Sequence, residues 1–296
     1  MAEGGAAAPR LVCCGNLTID DVVLPDGRAR PGCIGGDALY GALAARLLLP
    51  DAEMLAPVGC DLPHSVWALI AARGFSREGL PQRDCPTIRT RFVYETADRR
   101  VATLLSDDAD FDTLSPRGPD VPPRYWGARA FMVLAMSLSA QRDLVADLRA
   151  GSDAIIALDP QEDYIAGNEA AVLDLVARVD VFMPSRDEVS LLAGDRTPQD
   201  AARYFAGLGP RIVVIKLGAA GCLVHDRDTG RFLAQPAYPG VVVDTTGAGD
   251  AFCCAFMASL VLAPEDLARA AQAGAKAASL AVAGFGTEGF EENLLS

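Results

Sequence analysis

Short, wholly apolar runs alternate along this chain with longer segments of helical spacing. Residues 11–14, 54–58, 130–135, 155–158, 179–183 and 212–215 read as strands. Residues 37–48, 63–73, 140–149, 168–178, 186–193 and 198–208 read as helices between them. A strand that is apolar on both faces leaves no side for water. It must be covered above and below, and strand–helix alternation supplies that cover as a parallel sheet between two helical layers. Open parallel sheets bind ligands beyond the carboxyl ends of their strands. The residues that follow Cys14, Leu158, Met183 and Ile215 are therefore the first place to look for chemistry.

Two stretches break the rhythm. Residues 18–24 and 87–105 alternate apolar and polar side chains, as half-exposed strands do, and Ala97-Asp98 falls at a hairpin turn. They predict a small antiparallel sheet lying over one edge of the core, a lid of about residues 17–34 and 86–106. Arg89, Arg91 and Arg99 on it either reach a ligand or simply solvate the strands, and solvation is the favoured reading. Residues 106–124 are acidic and proline-containing and read as loop. No internal repeat is visible, and the 296 residues are read as one α/β domain.

The charge balance excludes some functions. Against 39 acidic residues stand 26 basic ones, a net charge of -13, with only two lysines, Lys216 and Lys276. Such a chain repels nucleic-acid backbones and anionic lipid, so neither is expected as a partner. The longest apolar run, residues 251–263, is 13 residues long, short of the roughly 20 a membrane-spanning helix needs. No secretory signal is recognisable, and a cytoplasmic location is expected. The eight cysteines show no CxxC spacing and the two histidines are far apart, so buried free thiols are expected rather than zinc or disulfides.

The most informative segment is Asp244-Thr245-Thr246-Gly247-Ala248-Gly249-Asp250-Ala251-Phe252. Small residues here let the backbone approach a ligand closely. The apolar helical run that follows, residues 251–262, presents free N–H groups that favour negative charge. An aspartate among those amides can take a proton while they hold a developing anion. Asp250 could equally be an ordinary N-cap.

This segment resembles the C-terminal signature of the ribokinase/PfkB family of small-molecule kinases, and other segments agree with that family in order and spacing. The resemblance implies a ribokinase-like three-layer α/β fold with a mainly parallel central sheet and a small antiparallel β lid. It implies that Asp250 is the base that activates a substrate hydroxyl, over an anion hole made by the amides of Gly247, Ala248 and Gly249. A monovalent cation, K+ in particular, is implied near Asp244 and residues 283–286. Gly15-Asn16-Leu17-Thr18-Ile19-Asp20 is similar to the family's opening segment, whose last Asp binds substrate hydroxyls. A carboxylate has about four acceptor sites and can grip a diol. Gly35-Gly36 is similar to the family's diglycine. Asp37 follows it, and Tyr40 stands where ribokinases usually carry Asn; its ring either stacks on a ligand or fills space.

Pro184-Ser185-Arg186-Asp187-Glu188 resembles the family's NxxE motif with Ser185 in place of Asn. The resemblance gives Glu188 a role in organising water around Mg2+ and the Ser185 position a phosphate contact. Ser185 also suits an N-cap with acids in the first turn. Lys216-Leu217-Gly218-Ala219-Ala220-Gly221 is similar to the family's nucleotide turn, so Lys216, Gly218 and Gly221 are expected to meet ATP. The pairing of Lys216 with phosphate is inferred from its charge alone. Ala275 and Ala278 are expected to wall the adenine. Asp159 either nears the cleft or is a turn residue before Pro160.

The expected function is ATP- and Mg2+-dependent phosphorylation of a hydroxyl on a sugar, polyol or similar small metabolite. A nucleoside kinase of the same fold and a weakly catalytic metabolite-binding regulator are the alternatives. A nicotinamide enzyme is disfavoured because no GxGxxG follows the first strand, and a P-loop kinase because no Gly-Lys-Ser/Thr occurs. Edge pairing of two lids into a homodimer is left open.

Overall fold

The computed structural model describes residues 7–95 and 100–290. The first half carries β1 (Leu11–Cys14), β2 (Thr18–Val23), β3 (Ala29–Gly35), α1 (Asp37–Arg46), β4 (Glu53–Leu55), β5 (Val58–Gly59) and α2 (His64–Ala72). Next come β6 (Gln82–Arg83), β7 (Ile88–Tyr94), β8 (Arg100–Leu104), α3 (Asp108–Thr113), β9 (Ala130–Val133), α4 (Leu138–Gly151) and β10 (Ile155–Leu158). The chain continues through α5 (Glu169–Val176), β11 (Val181–Phe182), α6 (Arg186–Ala193), α7 (Pro198–Ala206) and β12 (Ile212–Lys216). It closes with β13 (Cys222–Asp226), β14 (Arg231–Gln235), α8 (Ala248–Leu262) and α9 (Leu267–Ala281).

The main sheet runs β14-β13-β12-β11-β10-β9-β1-β4 and is parallel from β12 to β4. Strict alternation divides its core. Leu11, Cys13, Ala130 and Met132 face one layer, with α1, α2, α8 and α9. Val12, Cys14, Phe131 and Val133 face the other, with α4, α5, α6 and α7. This is the two-sided burial expected of wholly apolar strands. β1 lies between β9 and β4, so the strand order reverses beside it, and the reversal opens a crevice at the carboxyl ends.

The lid is a four-stranded sheet, β3-β2-β7-β8. It is antiparallel except for the parallel pair β2–β7. Along β7, Ile88 and Tyr94 are buried while Arg89, Arg91 and Val93 are exposed. Arg89 pairs with Asp61 and Arg91 with Asp21 at the exposed surface, which agrees with solvated strands. Arg99 and the Ala97-Asp98 turn lie outside the described residues.

Four expectations need correction. Residues 54–58 are two strands, not one: β4 joins the main sheet, whereas β5 pairs with β6. Pro57, between them, has no N–H for the ladder. Within the expected loop 106–124 sits α3, started by Asp107, whose carboxylate accepts from Asp110 N at 2.7 Å. The antiparallel edge β13–β14 adds to the strands expected from the sequence. Finally, α8 begins at Ala248 rather than Ala251, so Asp250 lies inside its first turn and is not its cap. All eight cysteines are free thiols, and Cys13, Cys14, Cys222, Cys253 and Cys254 are buried. Among the described residues no helix is long and apolar enough to cross a membrane.

Candidate active site

The centre of the crevice is the start of α8. Gly247 is its N-cap, in the left-handed region at φ 78°. A Cβ there would lie 2.3 Å from the Tyr40 ring, which is only 2% exposed. Only glycine satisfies both the backbone and the contact. Tyr40 thus fills space beneath the loop, the packing alternative for that ring. Burial, followed by the charges of Asp20, Asp244 and Asp250, holds its hydroxyl well above the usual range. The first intrahelical bond of α8 runs from Ala251 N to Gly247 O at 2.9 Å. The amides ahead of it make the positive end of a 15-residue helix. Asp250, half-buried in this turn, raises the proton affinity of Asp37 by its charge.

On one side, β1, the lid and α1 converge. Asp20 is 3% exposed on β2. A Cβ on Gly35 would lie 2.0 Å from its Oδ2, so the carboxylate rests on the diglycine backbone. Gly36 has φ 101°, and a Cβ there would meet Asn16 O at 2.3 Å. Asp37 opens α1, and its Oδ1 accepts from Asn16 N at 2.5 Å and from Ala38 N at 2.9 Å. Its Oδ2 is buried and unpartnered. Burial first, then the charge of Asp250, pushes this carboxyl well above the usual range.

On the other side, the residues following β10, β11 and β12 meet. Lys216 Nζ makes an ion pair with Asp159 Oδ2, which also accepts from Cys253 Sγ at 3.4 Å. Burial opposes the lysine's charge, but Asp159, Cys253 and Glu188 outweigh it and hold the ammonium form. The phosphate expected for Lys216 therefore meets an ammonium already bonded to Asp159. Its Nζ nonetheless stands 3.5 Å from where a Gly249 Cβ would be, against the helix start. Ser185 Oγ accepts from Glu188 N at 3.2 Å, and Glu188 Oε2 accepts from Ser185 N at 2.6 Å. This capping box realises the N-cap alternative and fixes the Glu188 carboxyl inward. Burial, then Asp159, pushes that carboxyl up to about 7 against the lowering effect of Lys216.

Lys216, Gly218, Gly221, Ala248, Gly249, Ala275 and Ala278 all line one cavity of about 540 Å³. That volume suits a small-molecule ligand. Ser185 lies just behind it, bridged to Lys216, whose N–H donates to Pro184 O at 2.8 Å.

Asp244 is 1% exposed. Its Oδ1 accepts from Tyr94 Oη at 2.5 Å and from Thr246 N at 2.9 Å, and its Oδ2 is buried and unpartnered. Val243 and Asp244 N–H groups both donate to Val282 O, which brings this loop to the end of α9 and residues 283–286. Sequence reasoning misses Tyr94, whose only signal is its inward phase on an alternating lid strand. It reads Cys253 as one buried thiol among several. It takes Asn16, which binds Asp37 and the Leu114 carbonyl, only as part of a longer motif.

The model of the pfkB family of carbohydrate kinases matches residues 34–293. A cytidine kinase of Thermococcus kodakarensis is 29% identical over 250 residues, covering 84% of this chain and 87% of the relative. A ribokinase of Staphylococcus aureus is 24% identical, covering 94% and 95%. A Burkholderia thailandensis nucleoside kinase solved with inosine superposes with a TM-score of 0.77 at 18% identity over 94% of this chain and 93% of its own. A ribokinase-II-like protein of E. coli solved with ATP and Mg2+ gives a TM-score of 0.77 at 21% identity over 97% and 99%. The match takes in both the diglycine turn and the glycine-lined start of α8: the chain belongs to the PfkB family, as a kinase that phosphorylates a hydroxyl of a carbohydrate or nucleoside.

Proposed function

We propose that the protein transfers the γ-phosphoryl of ATP to a hydroxyl of a sugar or sugar-like acceptor, with Asp250 as general base. One observation carries this reading. The first turn of α8 puts Ala248 and Gly249 on the 540 Å³ cavity and carries Asp250, whose charge acts on Asp37 beside the diglycine turn. Asp20, Asp37 and the Gly35-Gly36 backbone hold the acceptor's hydroxyls. Asp250 removes the proton of the attacking oxygen. The amides of Gly247, Ala248 and Gly249, with Lys216, bear the charge that spreads over the transferred group. The lid, seated on the cleft through Tyr94, excludes water.

ATP fits the cavity by size and by the cation at its floor. Mg2+ fits the acidic pair beneath it, where Asp159 Oδ1 is buried and unpartnered beside Glu188. Glu188 would hold the ion through water, as Mg2+ prefers. When bound, it neutralises phosphate charge. A monovalent cation such as K+ fits the buried, unpartnered Oδ2 of Asp244. Val93 and Val101, paired across the exposed face of the lid, are where a second copy would associate.

A nucleoside acceptor is the second reading, favoured by the 29% identity to a cytidine kinase over most of both chains. The test is ADP release from Mg·ATP across sugars, polyols, sugar acids and nucleosides, with and without potassium. Turnover of one class identifies the acceptor. Absence of ADP release from every acceptor, with ATP shown to bind, refutes the assignment.

A further inference from the structure

We infer that the donor site holds a purine without reading its edge, so that GTP serves as a phosphoryl donor nearly as well as ATP. This rests on the nucleotide being bound in the cavity between α8, α9 and the turn after β12, as proposed above. The phosphate end of that cavity is marked by Lys216, Gly218 and the start of α8. The opposite end is walled by Val242, Phe252, Ala275, Ala278 and Val282. The α8–α9 packing behind it is tight: a Cβ on Gly274 would meet the Phe252 ring at 2.9 Å, so the wall is a fixed apolar slot.

Discrimination between adenine and guanine needs groups of fixed hydrogen-bond polarity. Adenine offers an amino donor where guanine offers a carbonyl acceptor. Among the described residues, no Asn, Gln, Asp, Glu or His side chain lines the cavity. Besides Lys216, the lining side chains that carry a polar atom are Thr245, Ser279 and Tyr238, and Thr245 Oγ1 sits 3.1 Å from Tyr94 Oη. Ser279 Oγ lies 2.7 Å from Lys276 O, and its hydroxyl either keeps that bond and accepts from the base or turns and donates to it. Tyr238 stands at the open edge, 44% exposed, and its hydroxyl rotates to donate or accept. None of these hydroxyl side chains imposes one pattern over the other. A pocket that recognises by apolar enclosure rejects near-isosteres weakly, whereas a pocket with buried fixed polar groups rejects them strongly. A pyrimidine fills less of the slot and forfeits apolar contact with it.

Two measurements test this on the full chain. The first is binding of ADP and GDP by displacement of a fluorescent nucleotide, which needs no acceptor. The second is nucleoside diphosphate release with ATP, GTP, CTP and UTP at a fixed acceptor. The expected result is purine affinities and kcat/KM values within about tenfold of each other, with CTP and UTP roughly tenfold or more below. Ala278→Leu, which narrows the slot without adding polarity, should weaken ADP and GDP by a common factor. An ATP preference of about a hundredfold or more, or an Ala278→Leu effect on one purine alone, overturns the inference and leaves the kinase assignment standing. Equal binding of ADP and GDP without turnover of any acceptor supports a purine site that does not read the base edge and overturns the use of GTP as donor together with the proposed transfer.

Discussion

Replacing Gly247 by alanine should damage both the fold and the chemistry, by amounts that can be worked out in advance. The residue adopts φ 78°, a conformation that costs an L-residue about 1–2 kcal/mol. The new methyl would also lie 2.3 Å from the Tyr40 ring. That ring is buried between α1 and the loop and cannot retreat. Overpacking of this kind costs about 1–3 kcal/mol. The sum, about 2–5 kcal/mol, is a large share of the roughly 5–15 kcal/mol of a native protein. Relief of the clash by loop displacement would move the amides proposed to hold phosphate, and loss of one such donor costs about a hundredfold or more in turnover. The assay is urea unfolding, with the m-value checked for constancy, alongside ADP release. The decisive comparison repeats Gly247→Ala in a Tyr40→Ala background. With the ring gone, only the backbone strain remains, and the cost should fall to about 1–2 kcal/mol. An equal cost in both backgrounds would show that the ring contact is not its source.

Three further outcomes are expected. Asp250→Asn should fold normally and lose at least about a hundredfold in turnover, as for a missing general base; near-normal rates would remove Asp250 from that role. Glu188 ionises at about 7 in the folded protein against an ordinary 4.5. The native state therefore binds its proton more tightly than the unfolded state, and that contribution to stability is present below pH 4.5 and lost as pH rises through 7. The gap corresponds to about 3 kcal/mol, so denaturation of Glu188→Gln and the parent should diverge by that order between about pH 4.5 and 7.5 without Mg2+; a pH-independent difference refutes the shift. Ser185→Ala should lose the cap of α6 and about 1 kcal/mol, while Ser185→Asn should retain it, as read from thermal melts.

The sheet and its two helical layers were legible because fully buried strands must be apolar at every position, and β1, β10 and β12 are nearly so. The short strand β5 was not legible, because a single proline redirected it into another sheet. The edge hairpin β13–β14 went unread for a different cause: β13 mixes buried apolar residues with His225 and Asp226, so no continuous run announced it. In the candidate site, Asp20, Gly35, Gly36, Asp244, Gly247 and Asp250 can be singled out because each belongs to a short motif that carries the family resemblance. Their partners cannot. That Lys216 would be bonded to Asp159, 57 residues away, or that Tyr94 would reach Asp244, 150 residues away, depends on which strands become neighbours. Local spacing carries no information on that. The start of α8 was misplaced because the small residues Gly247, Ala248 and Gly249 look like a continuous loop. Ala248 and Gly249 are helical because Gly247, packed on the Tyr40 ring, makes the turn before them.

The Tyr94–Asp244 contact also bears on how the molecule is made. It joins residues 150 positions apart, and the two sides of the crevice likewise draw on residues from Asp20 to Val282. Contacts of such separation form only after much chain entropy has been surrendered, so they are slow to form and late. Local helices can therefore exist in a folding intermediate that has no cleft at all. Enzyme activity in this protein is then a reporter of completed folding, and its recovery during refolding should trail the return of helical circular dichroism.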